Sequence, residues 1–313
     1  MSLKNMLMGG HQRWLWLPLG CLLAILPLVV SDAYLFMVME FMVLVLFATA
    51  YNIVLGQTGL LSFGHAGFFG AGAYTLAIAL NAMHVPFFLA LIMAPFAASL
   101  FACAAGIFCV RSTRLFFALL TLGFAQLLYI VISKFPNVTG GENGILISKS
   151  LPSFCMSTMS FYYFAVTIAV MGIILLRALT YSAFGQKLIF IRENTERSSF
   201  IGLNVRRYQL MALVVSAFFS GLAGALMAVL VRGAHPSFAY WTMSAEPIMS
   251  ALLGGIHVFY GPAVGVGLMM GIHHWVSAIT TEWPLVLGSA LILILLFLPG
   301  GVLGFIKSRV RAQ

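Results

Sequence analysis

The stretch NIVLGQTGLLSFGHAGFFGAGAYTLAI, residues 52–78, has six glycines and lies between segments apolar enough to cross a lipid bilayer. A glycine in a helix interior costs roughly 1 kcal/mol relative to alanine, so its GQTGLLSFG part predicts a break in the helix. Non-helical backbone at membrane depth persists only where it is buried in protein or faces water. The stretch therefore predicts a membrane protein with an interrupted helix, and its later glycines predict close contact with a neighbouring helix.

The composition agrees with a membrane protein. Hydrophobic residues make up 62% and charged residues 7% of the 313 residues, whereas soluble domains carry about 25% charged residues. In so apolar a chain, the net charge of +9 indicates membrane topology and anionic lipid headgroups rather than a nucleic-acid partner. The four cysteines have no metal-ligand spacing, and no metal site or catalytic constellation is expected.

Apolar runs of spanning length recur along the chain. A bilayer-crossing helix needs about 20 apolar residues. We interpret the first run as a membrane span rather than a cleaved signal peptide, because no small-residue cleavage site follows it. The predicted spans are 14–31, 35–55, 66–82, 85–110, 115–133, 160–176, 208–231 and 284–299.

The region 240–275 leaves the number of crossings open. Two short helices, broken at GGIHVFYGP (Gly254–Pro262), would give ten spans, whereas a re-entrant pair would give eight. We favour ten. The fold class is then an all-α integral membrane protein forming one transmembrane domain over residues 1–313.

Basic residues orient these spans. Of the 16 lysines and arginines, 13 fall on one side if the amino terminus is inside, and positive loops face the cytoplasm. Both termini are therefore predicted to be cytoplasmic. The acidic residues Asp32, Glu142, Glu246 and Glu282 then fall outside, and Lys134, Lys149 and Arg232 are the basic residues left there.

The longest predicted cytoplasmic connection is residues 177–207. Its pattern predicts one amphipathic helix over Ala183–Gly202, with Gly202 as the C-cap. The apolar positions of this helix are Phe184, Leu188, Ile191, Phe200 and Ile201. Such a helix suits contact with lipid headgroups or with a soluble partner, and the residues alone leave both open.

Several polar or small residues in apolar surroundings have two interpretations each. Glu40, near an outer interface, is either an interfacial residue or a contact for a substrate ammonium group or another helix. His65 either caps broken backbone or lines a transport path. TGGENG (Thr139–Gly144) has the glycines and acid of a turn in a predicted outside loop. The small residues of GLAGALMA (Gly221–Ala228) predict close helix packing.

Five motifs carry a resemblance to a known family. They are GLLSFGHAGFFGAGAY (59–74), STRLFFALLTLGFAQLLYIVISKFPNVTGGENGIL (112–146), RENTERSSFIGLNVRRYQLMALVVSAFFSGLAGAL (192–226), LLGGIHVFYGPAVGVGL (252–268) and LPGGVLG (298–304). In this order they resemble the ABC-importer permeases of the branched-chain amino acid type, the LivM group. The resemblance covers most of the chain beyond residue 50 and implies the large-permease fold of the vitamin B12 importer type.

The resemblance also implies partners and a mechanism. Such a permease pairs with a second homologous permease, two cytoplasmic ATP-binding subunits and an extracytoplasmic solute-binding protein. The loop 177–207 would be the coupling loop, docking an ATPase through Lys187, Arg192, Glu193, Asn194, Glu196, Arg197 and Gly202. No GxxxxGK[ST] motif occurs in the sequence, so ATP and Mg²⁺ are expected on the partner subunits.

Two further residue sets follow as expectations. The translocation path is expected at Glu40, Gly59, Ser62, Gly64, His65, Gly254 and Gly255. The rim facing a binding protein is expected at Thr139, Gly140, Gly141 and Asn143. The expected cargo is a branched-chain or other small amino acid, with urea or short amides as the alternative. A different class of transporter is the second hypothesis: an ion-coupled secondary transporter, since unwound helices suit ion-binding sites.

Overall fold

The computed structural model describes residues 26–27, 29–147, 150–277, 283–298 and 300–305. The predicted span at 14–31 lies outside these residues except for its last positions. The helices are α1 Asp32–Asn52, α2 His65–Asn81, α3 Phe87–Cys109, α4 Arg114–Lys134, α5 Pro136–Thr139, α6 Ser153–Met156, α7 Thr158–Tyr181, α8 Ala183–Glu193, α9 Thr195–Phe200, α10 Val205–Leu230, α11 Trp241–Gly254, α12 Gly261–Ser277 and α13 Trp283–Phe297.

Shorter elements complete the fold. A π-helical turn, Ile53–Thr58, continues α1, and 3₁₀ turns occupy Gly141–Asn143 and Pro236–Ala239. Strands β1, Ile145–Leu146, and β2, Gly233–Ala234, form a two-stranded ribbon. Within the described residues, five helices are long and apolar enough to cross a membrane: Asp32–Thr58, Phe87–Cys109, Arg114–Lys134, Thr158–Tyr181 and Val205–Leu230.

Helix α10 is the central helix and packs against α1, α2 and α3. Its contact with α2 is made by glycines on both helices. A Cβ atom on Gly72 would overlap the backbone of Gly221, and one on Gly224 would overlap the carbonyl of Phe69. Only residues without a side chain permit helix axes to approach this closely. The predicted close packing of the small-residue ridge is therefore confirmed.

Helix α2 begins inside the bundle rather than at its surface. His65, its first residue, contacts Ser216, which lies 11 residues, or about 17 Å, along α10 from Val205. After the π turn, Gly59 adopts φ +71° and reverses the chain. Residues 59–64 then run back to the start of α2. The predicted helix break in this stretch is confirmed.

The bundle has two distinguishable ends. We call the first the ribbon end, because Ile145 pairs there with Ala234. The side chain of Asn81 also reaches this end and donates to the carbonyl of Leu146 at 2.7 Å. The loops after α2, α4 and α10 therefore lie together, as the alternation of the predicted spans requires.

The opposite end, which we call the Arg192 end, carries the turn between α11 and α12. These helices form a hairpin whose turn is residues 255–260. The predicted pair of short helices broken at Gly254–Pro262 is confirmed. The break contacts the first glycine-rich break: the side-chain amide of Asn52 donates to the carbonyl of Ile256 at 3.2 Å.

Candidate functional site

A small exposed knob, residues 193–204, projects from the Arg192 end. The sequence predicts one continuous helix over Ala183–Gly202, and this prediction is wrong: α8 ends at Glu193 and α9 begins at Thr195. Asn194 between them is extended, with φ −156° and ψ 107°. Its side-chain oxygen accepts from the amide of Arg197 at 2.8 Å. Asparagine favours this capping conformation over continued helix.

The far end of the knob is closed by the predicted glycine cap. The amide of Leu203 donates to the carbonyl of Ser198 at 3.1 Å, and the amide of Gly202 donates to that of Ser199 at 3.0 Å. Gly202 has φ +86°, and this pair of bonds defines a Schellman motif. The C-cap prediction is confirmed, and the knob is held rigidly at both ends.

The tip of the knob is apolar and faces outward. Phe200 is 89% and Ile201 68% exposed, whereas Leu188 and Ile191 on α8 are buried. The break at Asn194 turns α9 away from the face that α8 buries, so the expected single apolar face is divided. The exposed Glu193, Glu196 and Arg197 lie beside the tip in sequence. The tip itself was missing from the coupling residues chosen by sequence.

Two of the chosen coupling residues turn inward instead. The ammonium of Lys187 donates to the hydroxyl of Tyr208 at 3.0 Å. Arg192 donates to the carbonyl of Gly56, and the same nitrogen lies 3.0 Å from Nδ1 of His257. Arg192 therefore connects the base of the knob to both glycine-rich breaks.

The glycines at the second break serve close packing. A Cβ atom on Gly254 would overlap the carbonyl of Gly261, and one on Gly255 would lie 2.7 Å from the carbonyl of Gly300. Gly59, in the first break, packs against the side chain of Arg192. These three glycines, expected on the translocation path, form the closed packing of the Arg192 end.

A second group, which we call the serine–histidine core, consists of Ser62, His65 and Ser216, all fully buried. His65 Nδ1 lies 2.9 Å from the hydroxyl of Ser62, and Nε2 lies 2.9 Å from that of Ser216. The hydroxyl of Ser216 donates a hydrogen bond to the carbonyl oxygen of Ala50, with an oxygen–oxygen distance of 2.6 Å. His65 must therefore donate from Nε2, which leaves Nδ1 to accept from Ser62.

This core joins the broken backbone to two helices. Ser62 belongs to the break, Ser216 to α10, and Ala50 to the last turns of α1. Gly64 fits beside it because its Cα approaches the backbone of Thr121 too closely for a side chain. The structure thus places Ser62, Gly64 and His65 in closed packing, away from the cavity described next.

A cavity of about 660 Å³ lies between α1, α11 and α12. We call it the acidic cavity, since Glu40 from α1 and Glu246 from α11 both line it. It extends from the first turn of α1 to Ala48, about 22 Å along that helix. Its lining is Ala33, Tyr34, Met37, Glu40, Leu44, Phe47, Ala48, Glu246, Pro247, Ser250, Val266, Met269, Met270, His273 and His274.

Of the residues expected on the path, Glu40 is the one that lines this cavity. The sequence placed Glu246 on the outer side but not on the path, whereas the structure places it within α11, where it lines the cavity. A lone carboxylate in the apolar run 241–254 was the available signal. Among the described residues, no three histidine, cysteine or acidic side chains are grouped so as to hold a metal ion.

The expected rim residues form a tight turn at the ribbon end. The hydroxyl of Thr139 donates to the carbonyls of Ile132 and Phe135 at 2.5 and 2.7 Å and accepts from the amide of Gly141 at 3.3 Å. Gly140 and Gly141 have positive φ. Thr139 and Gly141 are buried, so Asn143 is the rim residue with an exposed side chain.

Comparison with known proteins identifies the family. Residues 33–298 match the family described as "Branched-chain amino acid transport system / permease component". The chain belongs to this family. The resemblance seen in the sequence motifs is confirmed, and the chain is a multi-pass membrane permease of the ABC transport type.

Individual relatives agree with this membership. The chain is 23% identical to the high-affinity branched-chain amino acid transport permease LivM of Escherichia coli, over 87% of this chain and 70% of that protein. It is 24% identical to LivM of Salmonella typhimurium over the same shares. It is 26% identical to BraD of Pseudomonas aeruginosa, over 83% of this chain and 91% of that protein. No solved structure matches.

Proposed function

We propose that this chain is the permease subunit of an ATP-driven importer for branched-chain or other small amino acids. It forms half of the translocation path and pairs with a second homologous permease. Two cytoplasmic ATP-binding subunits carry ATP and Mg²⁺, and an extracytoplasmic solute-binding protein delivers the cargo. Family membership supports this assembly. Residues 1–313 act as one permease domain with the ten-helix, vitamin B12 importer-like fold.

The orientation follows from which charges share an end of the bundle. Arg114 donates to the carbonyl of Arg192 at 3.4 Å, so two basic loops lie together at the Arg192 end. The ribbon end carries the basic Lys134 and Arg232 together with the acidic Asp32 and Glu142. The positive-inside rule supports a cytoplasmic Arg192 end, and we propose that both termini lie on the same side.

The exposed tip of the knob is the observation that carries the coupling role. Phe200 is 89% and its neighbour Ile201 68% exposed at the end of the bundle that we propose faces the cytoplasm, and adjoining apolar side chains on a water-facing surface favour contact with a partner. Short rigid caps fix the tip, which suits insertion into a groove of a partner. Glu193, Asn194, Glu196, Arg197 and Gly202 surround it, and Arg192 and Lys187 anchor its base.

At the ribbon end, the Thr139–Asn143 turn is the contact for the solute-binding protein. Thr139 and the two positive-φ glycines hold the turn, and Asn143 presents a polar side chain. The ribbon fastens this turn to the loop after α10. Delivery of the cargo at the ribbon end and ATPase docking at the Arg192 end would set the direction of transport.

One observation favours a second candidate. A secondary transporter needs ionisable groups within the membrane, and Glu246 adds a second carboxylate beside Glu40. Transport of urea or short amides by an ATP-driven complex is the alternative within the class, since neither cargo needs a charged contact.

Reconstitution separates these functions. The full chain is placed in liposomes with its partner permease and ATPases, and the solute-binding protein is added outside. Uptake of labelled L-leucine and of urea is then measured with and without internal ATP. ATP-dependent leucine uptake is expected. Uptake by this chain alone, driven by a proton or sodium gradient, would overturn the proposal.

Variants of the tip test the coupling role. Phe200→Asp and Ile201→Asp should each weaken copurification of the ATPases by at least about tenfold, as expected for a buried apolar anchor. Val138→Asp is the matched control, because Val138 is 56% exposed at the ribbon end. Normal ATPase assembly in both tip variants would contradict the coupling role.

A further inference from the structure

The acidic cavity has an unbalanced charge. Two carboxylates line it, and none of its lining residues is lysine or arginine. Glu246 and Glu40 are close enough to repel each other electrostatically, while His273 interacts favourably with Glu40. Carboxylates placed together in a weakly hydrated site raise each other's energy unless a cation joins them.

Glu246 is the more enclosed of the two carboxylates. Its side chain is only partly exposed, and it lines the cavity. Within the described part of the chain, its carboxylate makes neither a hydrogen bond nor an ion pair with another side chain. A partly enclosed carboxylate without a donor loses hydration that no protein group replaces, and a donor from a ligand would offset that loss.

The rest of the lining limits which cation fits. Besides the ionisable residues, the cavity is lined mainly by Met37, Leu44, Phe47, Val266, Met269 and Met270. Its volume lies within the range of small-molecule sites, which combine apolar walls with a few placed polar groups. The described residues hold no group suited to a metal ion. A primary ammonium carrying an aliphatic chain matches both parts of the lining.

We propose that the acidic cavity binds the transported amino acid, with Glu40 and Glu246 holding its ammonium group and the methionine-rich wall receiving its aliphatic side chain. This inference rests on the proposed function and deepens it, because it assigns recognition of the cargo's ammonium to the permease itself. It also predicts that an uncharged cargo such as urea is bound poorly here.

A ligand series on the unmodified protein tests the chemistry. The full chain in lipid nanodiscs is titrated calorimetrically with L-leucine, isoamylamine and 4-methylpentanoate, with empty nanodiscs as the blank. The two amines should bind saturably. 4-Methylpentanoate, which has the aliphatic chain without an ammonium, should bind at least about tenfold more weakly, as expected when a charge-assisted hydrogen bond is missing. Equal binding of all three ligands, or none by either amine, overturns the proposal.

Charge-removing variants locate the contact. Glu40→Gln and Glu246→Gln should each weaken isoamylamine binding by about 10- to 100-fold, the loss of one hydrogen bond to a charged group. Glu142→Gln removes the same charge from an exposed position at the ribbon end and should bind as the unmodified chain does. Binding unchanged in both cavity variants overturns the assignment. Because Glu40 is less enclosed, it keeps the test valid if Glu246→Gln fails to fold.

The same variants separate this inference from the proposed function. If ATP-driven leucine uptake by the reconstituted complex is undiminished in both variants, the cavity is not the cargo site, although the proposed importer function still holds. Uptake that requires an ion gradient instead of ATP would overturn the importer, whatever the binding data show.

Discussion

The serine–histidine core and the acidic cavity are both polar groups among apolar helices, but they differ in how the protein treats them. In the core, both ring nitrogens of His65 form hydrogen bonds, and the hydroxyl of Ser216 donates a hydrogen bond to a helix carbonyl. In the cavity, Glu246 has no hydrogen-bond partner in the described protein and faces another carboxylate. Satisfied polar groups hold elements together, whereas an unpaired carboxylate beside open space among membrane helices is a candidate functional site.

This difference makes opposite predictions for stability. Removing a side chain from the closed core leaves other buried groups unpaired. Removing the charge of Glu246 from the cavity relieves its repulsion from Glu40. Equal changes in stability for variants of the serine–histidine core and of the acidic cavity would therefore contradict this comparison.

The largest effect is expected for His65→Leu. The substitution leaves the hydroxyl of Ser62 without its acceptor and that of Ser216 without its donor, and should lower the free energy of unfolding by about 2–4 kcal/mol. His274→Leu is the matched control, because His274 lines the cavity. Denaturant titration in detergent measures both. A similar loss in the two variants would show that the core is no better satisfied than the cavity.

Glycines on the two sides give the next effect. Gly72→Ala places a methyl group into the backbone of Gly221 and should cost about 1–3 kcal/mol through overpacking. Gly271, on the cavity helix α12, has no atom within 4 Å of an added Cβ. Gly271→Ala should therefore stabilise by up to about 1 kcal/mol through helix propensity. Thermal unfolding of the two variants measures the contrast, and equal shifts would contradict it.

The helices themselves were predictable from the sequence, because long apolar runs and glycine-rich interruptions are local signals. The 254–262 break and the cap at Gly202 depend on a few adjacent residues, and both were found. The serine–histidine core was not, since His65 and Ser216 are 151 positions apart and a serine within an apolar run carries no pattern of its own.

The break at Asn194 and the place of Glu246 were missed for a different reason. The apolar residues on either side of Asn194 continue a helical period, which concealed the N-cap signal of the asparagine. The charge pattern of the sequence placed Glu246 on the outer side, whereas in the structure it lies within α11 and lines the cavity beside α1. In both cases a tertiary contact or a cap outweighed the periodic pattern.

A smaller effect of opposite sign is expected for Glu246→Gln. The glutamine keeps the shape of the side chain and removes the repulsion from Glu40, so stability should rise by less than about 1 kcal/mol. Glu142→Gln, at the exposed ribbon end, should leave stability unchanged. Chemical denaturation in detergent measures both variants. A loss as large as that of His65→Leu would mean that Glu246 is satisfied by the protein after all.

The smallest effect is expected for His257, a partly exposed histidine that belongs to neither the serine–histidine core nor the acidic cavity. Partial burial and, to a lesser extent, the positive charge of Arg192 lower the pKa of His257. A histidine pKa below its unfolded value of about 6.5 means that the unfolded chain binds more protons. The stability due to neutral His257, which accepts from Arg192, is thus present above that pH and is lost as the pH falls.

Comparison with His257→Gln isolates this contribution, because glutamine accepts a hydrogen bond without titrating. Between about pH 7.5 and about pH 5.5, on either side of the ordinary histidine pKa, the melting temperature of the unmodified chain should fall slightly more than that of the variant. The difference should be small, since solvent screens an exposed charge pair. Parallel pH profiles would show that the Arg192–His257 contact contributes nothing to holding the two glycine-rich breaks together.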